Sequence, residues 1–299
     1  MKIVFFGTPD FAVYSLEEIF NSKHEIVAVV TTPDTEKGRG LKVSYPAVKR
    51  FAHEKGIKVI QPEKLKDEGF LNELKSLNAD LFVVVAFRIL PEEVYSLPPK
   101  GSFNLHGSIL PKYRGAAPIQ WALISGEKES GVTTFKIEKK VDTGNVYLRK
   151  SIPIEENDDF GSLHDKLAVL GREAVIETIS IIESDDFVLQ PQDNSLATPA
   201  PKITKEMCAI DWNKTSEEVH NLIRGLSPFP AAYFNLKGKT IKVFKSAVNE
   251  DIGLKPGEEY ISRSELIIGC KDGALKILEL QQEGKKRLKV EEFLRGYRN

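Results

Sequence analysis

The sequence LFVVVAF, at residues 81–87, is the stretch that decides the fold class. An unbroken apolar run of this length is typical of a central parallel strand covered by helices on both faces. Two β-rich runs, KIVFF at residues 2–6 and EIVAVVTT at residues 25–32, precede it, with a helical period between them. This alternation of strand and helix predicts an α/β fold with a doubly wound, mostly parallel, Rossmann-like sheet.

The pattern changes after residue 131. Residues 131–138 and 146–154 are expected to form a hairpin or to extend the sheet, and residues 160–183 have a long helical period. Residues 185–201 are rich in Asp, Gln, Pro and Ser without a clear period, which predicts a linker. Short strands and tight turns follow and predict a small β-barrel or sandwich. The predicted boundaries are a first domain at 1–188, a linker at 189–205 and a second domain at 206–299.

Composition excludes several classes of protein. The chain has 299 residues, 41% of them hydrophobic, and a formal net charge of -1. Its apolar runs are far shorter than the ~20 residues that span a bilayer. Cys208 and Cys270 form no CxxC motif, so neither a disulfide framework nor a zinc knuckle is expected. The sequence therefore predicts a reduced, cytoplasmic protein without a membrane partner.

Charge is unevenly distributed along the chain. Residues 1–150 carry 22 basic against 18 acidic side chains, residues 151–200 carry 2 against 11, and residues 201–299 carry 18 against 14. One interpretation is a solvated helix face with loops. The other is a pair of basic surfaces that share one polyanionic ligand.

The turn after the first predicted strand lacks the usual dinucleotide-binding motif. Gly7 stands where such a fold places its phosphate loop, but the sequence continues Thr8-Pro9-Asp10 and is not GxGxxG. Pro9 also removes a backbone donor, so a nicotinamide cofactor is disfavoured. Thr8 is expected to cap the following helix, with Pro9 in its first position.

The densest cluster of polar and turn-forming residues is GSFNLHGSILPKYRGAAP, at residues 101–118. Asn104 and His106 alternate with apolar residues, so on a strand they point to the same face. The carboxyl end of a strand in an open α/β sheet is where such folds hold ligands. A single histidine is more often structural than catalytic, but the neighbouring amide and the basic loop after it favour a catalytic His106.

A second signal is Val141-Asp142-Thr143-Gly144. An aspartate in a glycine-containing turn is usually a turn cap. Asp142 becomes a catalytic candidate only if this turn reaches the face that carries Asn104 and His106.

These motifs resemble the methionyl-tRNA formyltransferase family, one of the folate-dependent formyltransferases, over nearly the whole chain. The resemblance rests on FGTPDF (6–11), NLHGSILP (104–111), YRGAAPIQ (113–120) and DTG (142–144), and on IDW (210–212), IRGLSPFPA (223–231) and GKKR (284–287) in the C-terminal part. One departure is AFRILP at residues 86–91, which is one residue shorter than the family's usual loop and lacks its glycine.

The resemblance implies an enzyme that transfers a formyl group from 10-formyltetrahydrofolate to the amino group of methionine on initiator tRNA, for translation initiation. It implies that His106 is the base, that Asn104 stabilises the oxyanion, and that Asp142 holds the His106 ring or relays a proton through water. It also implies a C-terminal OB-type domain that binds tRNA, no metal, and a monomeric state.

The resemblance also implies binding residues. Those expected for the folate co-substrate are Phe87, Arg88, Ile89, Leu90, Ser108, Leu110 and Pro111. Those expected for tRNA are Lys37, Arg39, Lys42, Arg114, Lys285, Lys286 and Arg287.

Two other functions stay open at this point. One is a related formyltransferase that acts on an amino sugar nucleotide or on glycinamide ribonucleotide. The other is an RNA-binding protein that has kept the scaffold without its activity.

Overall fold

The computed structural model describes residues 1–37, 42–250 and 252–296, and the chain divides into two compact units. Unit 1 comprises Met1–Gly115, Gly131–Ile152 and His164–Pro199, and unit 2 comprises Ala116–Ser130, Pro153–Leu163 and Ala200–Asn299. Both units are discontinuous along the chain. The continuous domain boundaries drawn from the sequence stay a prediction.

Strands and helices alternate through the first part of the chain. In chain order they are β1 (Lys2–Gly7), α1 (Asp10–Phe20), β2 (Glu25–Val30), β3 (Thr35–Lys37), β4 (Lys42–Ser44), α2 (Ala47–Glu54), β5 (Val59–Ile60), α3 (Glu68–Ser76), β6 (Leu81–Val85), α4 (Glu92–Tyr95), β7 (Ser102–His106), β8 (Arg114–Gly115), α5 (Pro118–Ile124), β9 (Glu129–Lys136), β10 (Val146–Pro153) and α6 (Phe160–Ser184). The second part contains β11 (Pro199–Ala200), α7 (Ser216–Leu226), β12 (Ala232–Leu236), β13 (Lys239–Asn249), β14 (Glu259–Ile261), β15 (Leu266–Gly269), β16 (Ala274–Gln282), β17 (Leu288–Lys289) and α8 (Val290–Arg295).

A seven-stranded sheet forms the centre of the first part, in the order β10-β9-β7-β6-β1-β2-β5. The neighbours from β7 to β5 run parallel, and β9 is antiparallel to β7. All five residues of β6 are buried, as the apolar run predicts for a strand covered on both faces. The predicted α/β fold with a mostly parallel sheet is therefore confirmed.

The C-terminal part contains an antiparallel sheet in the order β12-β13-β16-β15-β14, with β17 paired to β16. Its inner face packs an apolar core that includes Ile241, Leu275 and Leu280. Within the described residues the pairings form an open path from β12 to β14. The antiparallel C-terminal sheet is thus established, and the OB-type barrel stays a prediction.

Helix α1 begins later than the sequence predicts. Pro9 is its N-cap, in an extended conformation with φ -81° and ψ 176°, and no side chain caps the helix. Thr8 therefore lies one residue too early to cap it, and its buried Oγ1 has no hydrogen-bond partner among the described residues. The predicted cap at Thr8 was wrong.

Two negative observations apply to the described part of the chain. No helix there has the length and apolar character needed to cross a membrane. Cys208 and Cys270 are both buried free thiols, and burial raises the pKa of Cys270 to about 11.

Candidate active site

Strand β7 brings Asn104 and His106 to one face at the carboxyl end of the sheet. The strand is parallel to β6, pairing Leu105 with Val85, and antiparallel to β9, pairing His106 with Thr133. His106 is 6% exposed. Asn104 is half-buried, and its side chain makes no hydrogen bond to any residue that the structure describes. The amide of Asn104 is therefore available to a substrate.

The His106 ring is held by a backbone carbonyl. Its Nε2 atom lies 2.8 Å from the carbonyl oxygen of Tyr113. A carbonyl oxygen only accepts, so Nε2 carries a hydrogen and donates it. In the neutral ring the lone pair is then on Nδ1, which is the basic atom. Tyr113 has φ 61°, a left-handed conformation that is strained for a bulky residue and is found mainly at functional sites.

Asp142 reaches the same site from the turn between β9 and β10. Its Oδ2 atom lies 3.9 Å from His106 Nδ1 and accepts a hydrogen bond of 2.9 Å from the backbone N–H of Gly115. Asp142 has φ 55°, a left-handed conformation that aspartate tolerates better than most residues. The carboxylate is thus within ion-pair range of the ring but makes no direct hydrogen bond to it.

Gly144 allows this turn to approach β9 closely. A Cβ at this position would overlap the carbonyl oxygen of Lys136. The glycine of the Asp-Thr-Gly motif is therefore required by close packing rather than by a positive φ.

The loop after His106 is held by side chains of β9 and β10. Thr133 Oγ1 accepts a 3.0 Å hydrogen bond from Leu110 N and donates one of 2.7 Å to the carbonyl of Ser108. Arg149 Nε donates to the carbonyl of Leu110 at 2.8 Å. These hydrogen bonds fix the main chain of the loop.

Three of the residues expected to bind folate lie in this loop. The Ser108 hydroxyl donates to the carbonyl of Lys112 at 2.6 Å, and the Leu110 side chain is buried against Phe135 and Val146. Pro111 is half-buried. The side chains of Ser108 and Leu110 are thus occupied inside the protein.

The other four lie in the loop after β6, which turns at Ala86 with φ 48°. The Arg88 guanidinium donates to the carbonyls of Pro62 at 2.7 Å and Glu63 at 3.0 Å, and burial lowers its pKa. The Phe87 ring packs 5.6 Å from that of Phe6. Leu90 is buried and Ile89 is 73% exposed. Arg88 therefore braces the shortened loop from within the protein.

The cationic residues expected to bind tRNA differ in their surroundings. Arg114 donates to Gln192 Oε1 and, at 2.8 Å, to Asn194 Oδ1. Arg287 pairs with Glu279 and lies over the Phe244 ring. Lys285 and Lys286 are exposed in a turn, and neither makes an ion pair with a described residue. Arg39, together with the side chains of Lys37 and Lys42, lies outside the described residues.

Two groups at the site have no signal in the sequence motifs. The Tyr113 carbonyl belongs to the backbone, so residue type does not reveal it. Gln192 donates to the carbonyls of Asp142 and Gly144 but falls in the stretch predicted to be a linker. Residues 1–37, 42–250 and 252–296 contain no group of three or more His, Cys, Asp or Glu side chains able to hold a metal ion.

Known proteins share both parts of this chain. Residues 1–179 match the family described as "Formyl transferase", and residues 202–298 match "Formyl transferase, C-terminal domain". The methionyl-tRNA formyltransferase of Caldanaerobacter subterraneus is 49% identical over 300 residues, which is 99% of this chain and 97% of that protein. That of Flavobacterium johnsoniae is 46% identical, covering 99% and 96%.

A solved structure has the same fold. The N-formyltransferase from Helicobacter canadensis, in complex with folinic acid and dTDP-3-aminofucose, is 26% identical and aligns with a TM-score of 0.72. The alignment covers 94% of this chain and 99% of that one.

Proposed function

Because this chain belongs to the methionyl-tRNA formyltransferase family, we propose that it transfers a formyl group from 10-formyltetrahydrofolate to the amino group of methionine on initiator tRNA. The observation that carries the proposal is the hydrogen bond of His106 Nε2 to the Tyr113 carbonyl. It leaves Nδ1 as the basic atom, on the side of the ring where Asp142 lies.

His106 serves as the base. An α-amino group has a reference pKa of ~7.7–8.0, so part of the substrate is protonated and unreactive at neutral pH. Imidazole is the side chain suited to accept a proton in this range. Nδ1 accepts the proton from the attacking amine, and the Asp142 carboxylate stabilises the imidazolium. At 3.9 Å the carboxylate acts on the ring through its charge rather than through a direct hydrogen bond.

Asn104 serves the developing oxyanion. The amine nitrogen forms a bond to the formyl carbon, whose oxygen becomes negatively charged. The Asn104 amide donates to this oxygen, an interaction whose removal in other enzymes costs ~10²–10³ in rate. The bond from the formyl carbon to N10 of the folate then breaks. N10 takes up the proton that the amine has released, which leaves tetrahydrofolate and the formylated methionyl-tRNA.

The co-substrate binds, in this proposal, to the loops that follow β6 and β7. The residues assigned to it are Phe87, Arg88, Ile89, Leu90, Ser108, Leu110 and Pro111. Ile89 offers an exposed apolar surface, while Arg88 and Ser108 act by holding the backbone of their loops.

The tRNA binds to basic residues of both units. Lys285 and Lys286 are the best candidates for binding phosphates, because they are exposed and make no ion pair with a described residue. Lys37, Arg39, Lys42 and Arg287 complete the proposed set. Arg114 also belongs to the proposed tRNA-binding set and lies next to the active site. Its guanidinium is already hydrogen-bonded to Gln192.

Amino sugar nucleotides and glycinamide ribonucleotide are disfavoured as acceptors. The sugar N-formyltransferase of similar fold is 26% identical, against 43–49% for methionyl-tRNA formyltransferases that match the chain throughout. We also infer a monomeric, cytoplasmic protein whose C-terminal sheet belongs to an OB-type barrel. Sedimentation equilibrium of the purified chain tests the monomer.

One assay tests the proposed function. The full chain is given 10-formyltetrahydrofolate and, separately, charged initiator tRNA, an amino sugar nucleotide and glycinamide ribonucleotide. Formyl incorporation into the tRNA alone is expected. Incorporation into either small acceptor but not into tRNA would show that the proposed acceptor is wrong. Incorporation into none of the three would point to a non-catalytic protein.

A further inference from the structure

The segment of residues 190–198 lies against the loops that build the active site. Gln190 exchanges two backbone hydrogen bonds with Val146, of 2.8 and 3.0 Å. Thr198 accepts from the main chain twice, from Tyr113 N at its Oγ1 and from Arg114 N at its carbonyl, both at 2.9 Å. Within unit 1 the two ends of this segment are therefore fixed to the start of β10 and to the main chain of Tyr113 and Arg114.

Gln192 occupies the centre of this segment and uses its whole carboxamide. Nε2 donates to the carbonyls of Asp142 at 3.0 Å and of Gly144 at 2.8 Å. Oε1 accepts from Arg114 Nε at 3.2 Å and from Arg114 Nη2 at 2.7 Å. A carboxamide has two N–H donors and two acceptor lone pairs, so all four are satisfied here. The residue is 9% exposed.

These four bonds join the backbone of one segment near His106 to a side chain of another. On one side is the turn that holds Asp142 in its left-handed conformation, with its Oδ2 on the Gly115 N–H. On the other is the guanidinium of Arg114, the residue that follows Tyr113, whose carbonyl holds the His106 ring.

We propose that Gln192 is a positioning residue of the formyl-transfer site, which it supports by fixing the Asp142 turn to the side chain of Arg114, next to Tyr113. Gln192 contacts neither His106 nor Asn104 through the hydrogen bonds described for it and acts on the chemistry through Asp142. The inference rests on the proposed function for its catalytic consequence, and on geometry alone for its structural one.

Two substitutions distinguish the bonds that Gln192 makes to the Asp142 turn from those that it makes to Arg114. Gln192→Glu keeps acceptors for Arg114 but replaces the two donors to the carbonyls of Asp142 and Gly144 with an oxygen that repels them. Gln192→Leu removes both sets of hydrogen bonds while keeping a similar side-chain volume. Asn194→Ala is the matched control, because Asn194 binds the same guanidinium without contacting the turn.

Kinetics on the full chain give the first readout. We expect kcat to fall about tenfold or more in both Gln192 variants, with KM for tRNA and for the folate donor within about twofold of wild type, as for removal of a bond that aligns a catalytic group. Asn194→Ala should stay within about twofold of wild type in kcat. In the Asp142→Asn background, Gln192→Leu should cost much less than in wild type, because the two residues act as one unit.

Hydrogen exchange gives a readout that does not need activity. The Gly115 amide is protected through Asp142 Oδ2, so its exchange reports where the carboxylate lies. We expect exchange at Gly115 to rise about tenfold in Gln192→Glu, in line with removal of one hydrogen bond, while amides of β1 and β6 are unchanged. The β1 and β6 amides also show whether the variant is folded.

The outcomes distinguish the two proposals. A wild-type chain that transfers no formyl group would overturn the proposed function, while the exchange experiment would still decide the role of Gln192. Unchanged Gly115 exchange, or fully additive effects of Gln192→Leu and Asp142→Asn, would overturn the positioning role. A rise in KM alone would assign Gln192 to substrate binding instead and would also overturn it.

Discussion

The Nε2 atom of His106 lies 2.8 Å from the carbonyl oxygen of Tyr113, and this hydrogen bond determines which nitrogen can act as a base. The expected partner of the ring was Asp142, whose carboxylate instead lies 3.9 Å from Nδ1. The ring is therefore oriented by the backbone, and in the proposed mechanism the carboxylate stabilises its charge.

Removal of either polar group on β7 should abolish most of the activity. We expect His106→Ala and Asn104→Ala each to lower kcat about 10²-fold or more, because one removes the base and the other an oxyanion donor. Asn104 makes no side-chain hydrogen bond within the described part of the chain, so its variant should unfold at the wild-type temperature. Near-wild-type turnover would remove the residue from the catalytic set.

Asp142→Asn should lower kcat, because the neutral amide cannot stabilise the positive charge that the proposed mechanism places on the His106 ring. The variant retains an oxygen that can accept from the Gly115 N–H, so the turn should keep its conformation. Turnover equal to wild type would reduce Asp142 to a turn cap.

Gly144→Ala should destabilise the protein and displace the turn. The added methyl group would overlap the Lys136 carbonyl, so we expect a decrease of about 1–3 kcal/mol in the free energy of unfolding, the range for overpacking. Denaturant unfolding measures it. Gly238→Ala is a useful comparison, since its strain comes from φ 77° in a turn with open space around it. A Gly144 variant as stable as wild type would show that β9 can move away.

Neutralising the basic turn of unit 2 should weaken tRNA binding. We expect Lys285→Ala with Lys286→Ala to reduce the slope of log K against log[salt] by about one unit for each phosphate that the protein no longer neutralises. Arg287→Ala should have a smaller effect on the slope, because its charge is already paired with Glu279. An unchanged slope in the double variant would mean that this turn does not bind phosphate.

Arg39 should affect the reaction differently from those lysines. It stands between Gly38 and Gly40, and we propose that it binds the acceptor end of the tRNA near the reacting amine. We expect Arg39→Ala to lower kcat/KM for initiator tRNA more than it lowers the affinity for tRNA in general. Equal reductions in both measurements would make Arg39 a further phosphate-binding residue.

Acid should destabilise the protein partly through His220. Burial lowers the pKa of His220 below its usual 6.5, with Arg224 adding to the effect, and its Nδ1 lies 3.0 Å from Ser246 Oγ. The unfolded chain then binds a proton at higher pH than the folded chain. Stability should therefore be complete above about pH 6.5 and fall below it. His220→Gln should flatten this dependence, measured by urea unfolding between pH 5 and 8.

The sequence predicts the fold well where one strong pattern decides it. The apolar run at residues 81–87 predicts a strand covered on both faces, and its first five residues form the buried β6. Alternation likewise placed Asn104 and His106 on one face. The predicted cap of α1 was wrong because both Thr8 and Pro9 are common near helix starts. Pro9 has an extended ψ, so it is the N-cap and the helix begins at Asp10.

The rest of the site depends on tertiary interactions that leave no local pattern. The carbonyl of Tyr113 has no residue type, and the amide of Gln192 joins loops that are 78 and 50 residues away in sequence. A stretch rich in Gln, Asp and Pro has the composition of a solvated connection, so a buried amide within it cannot be distinguished from an exposed one.

The hydrogen bonds of residues 190–198 limit how such enzymes can be divided and recombined. The matched N-terminal family region ends at residue 179, before Gln190, Gln192 and Thr198. In a chimaera joined at that point, residues 190–198, which contact the active-site loops, would come from the other parent protein. Exchange of C-terminal parts between formyltransferases should therefore preserve turnover only when the junction lies beyond Pro199. Residues 190–198 must then come from the same parent protein as the catalytic residues.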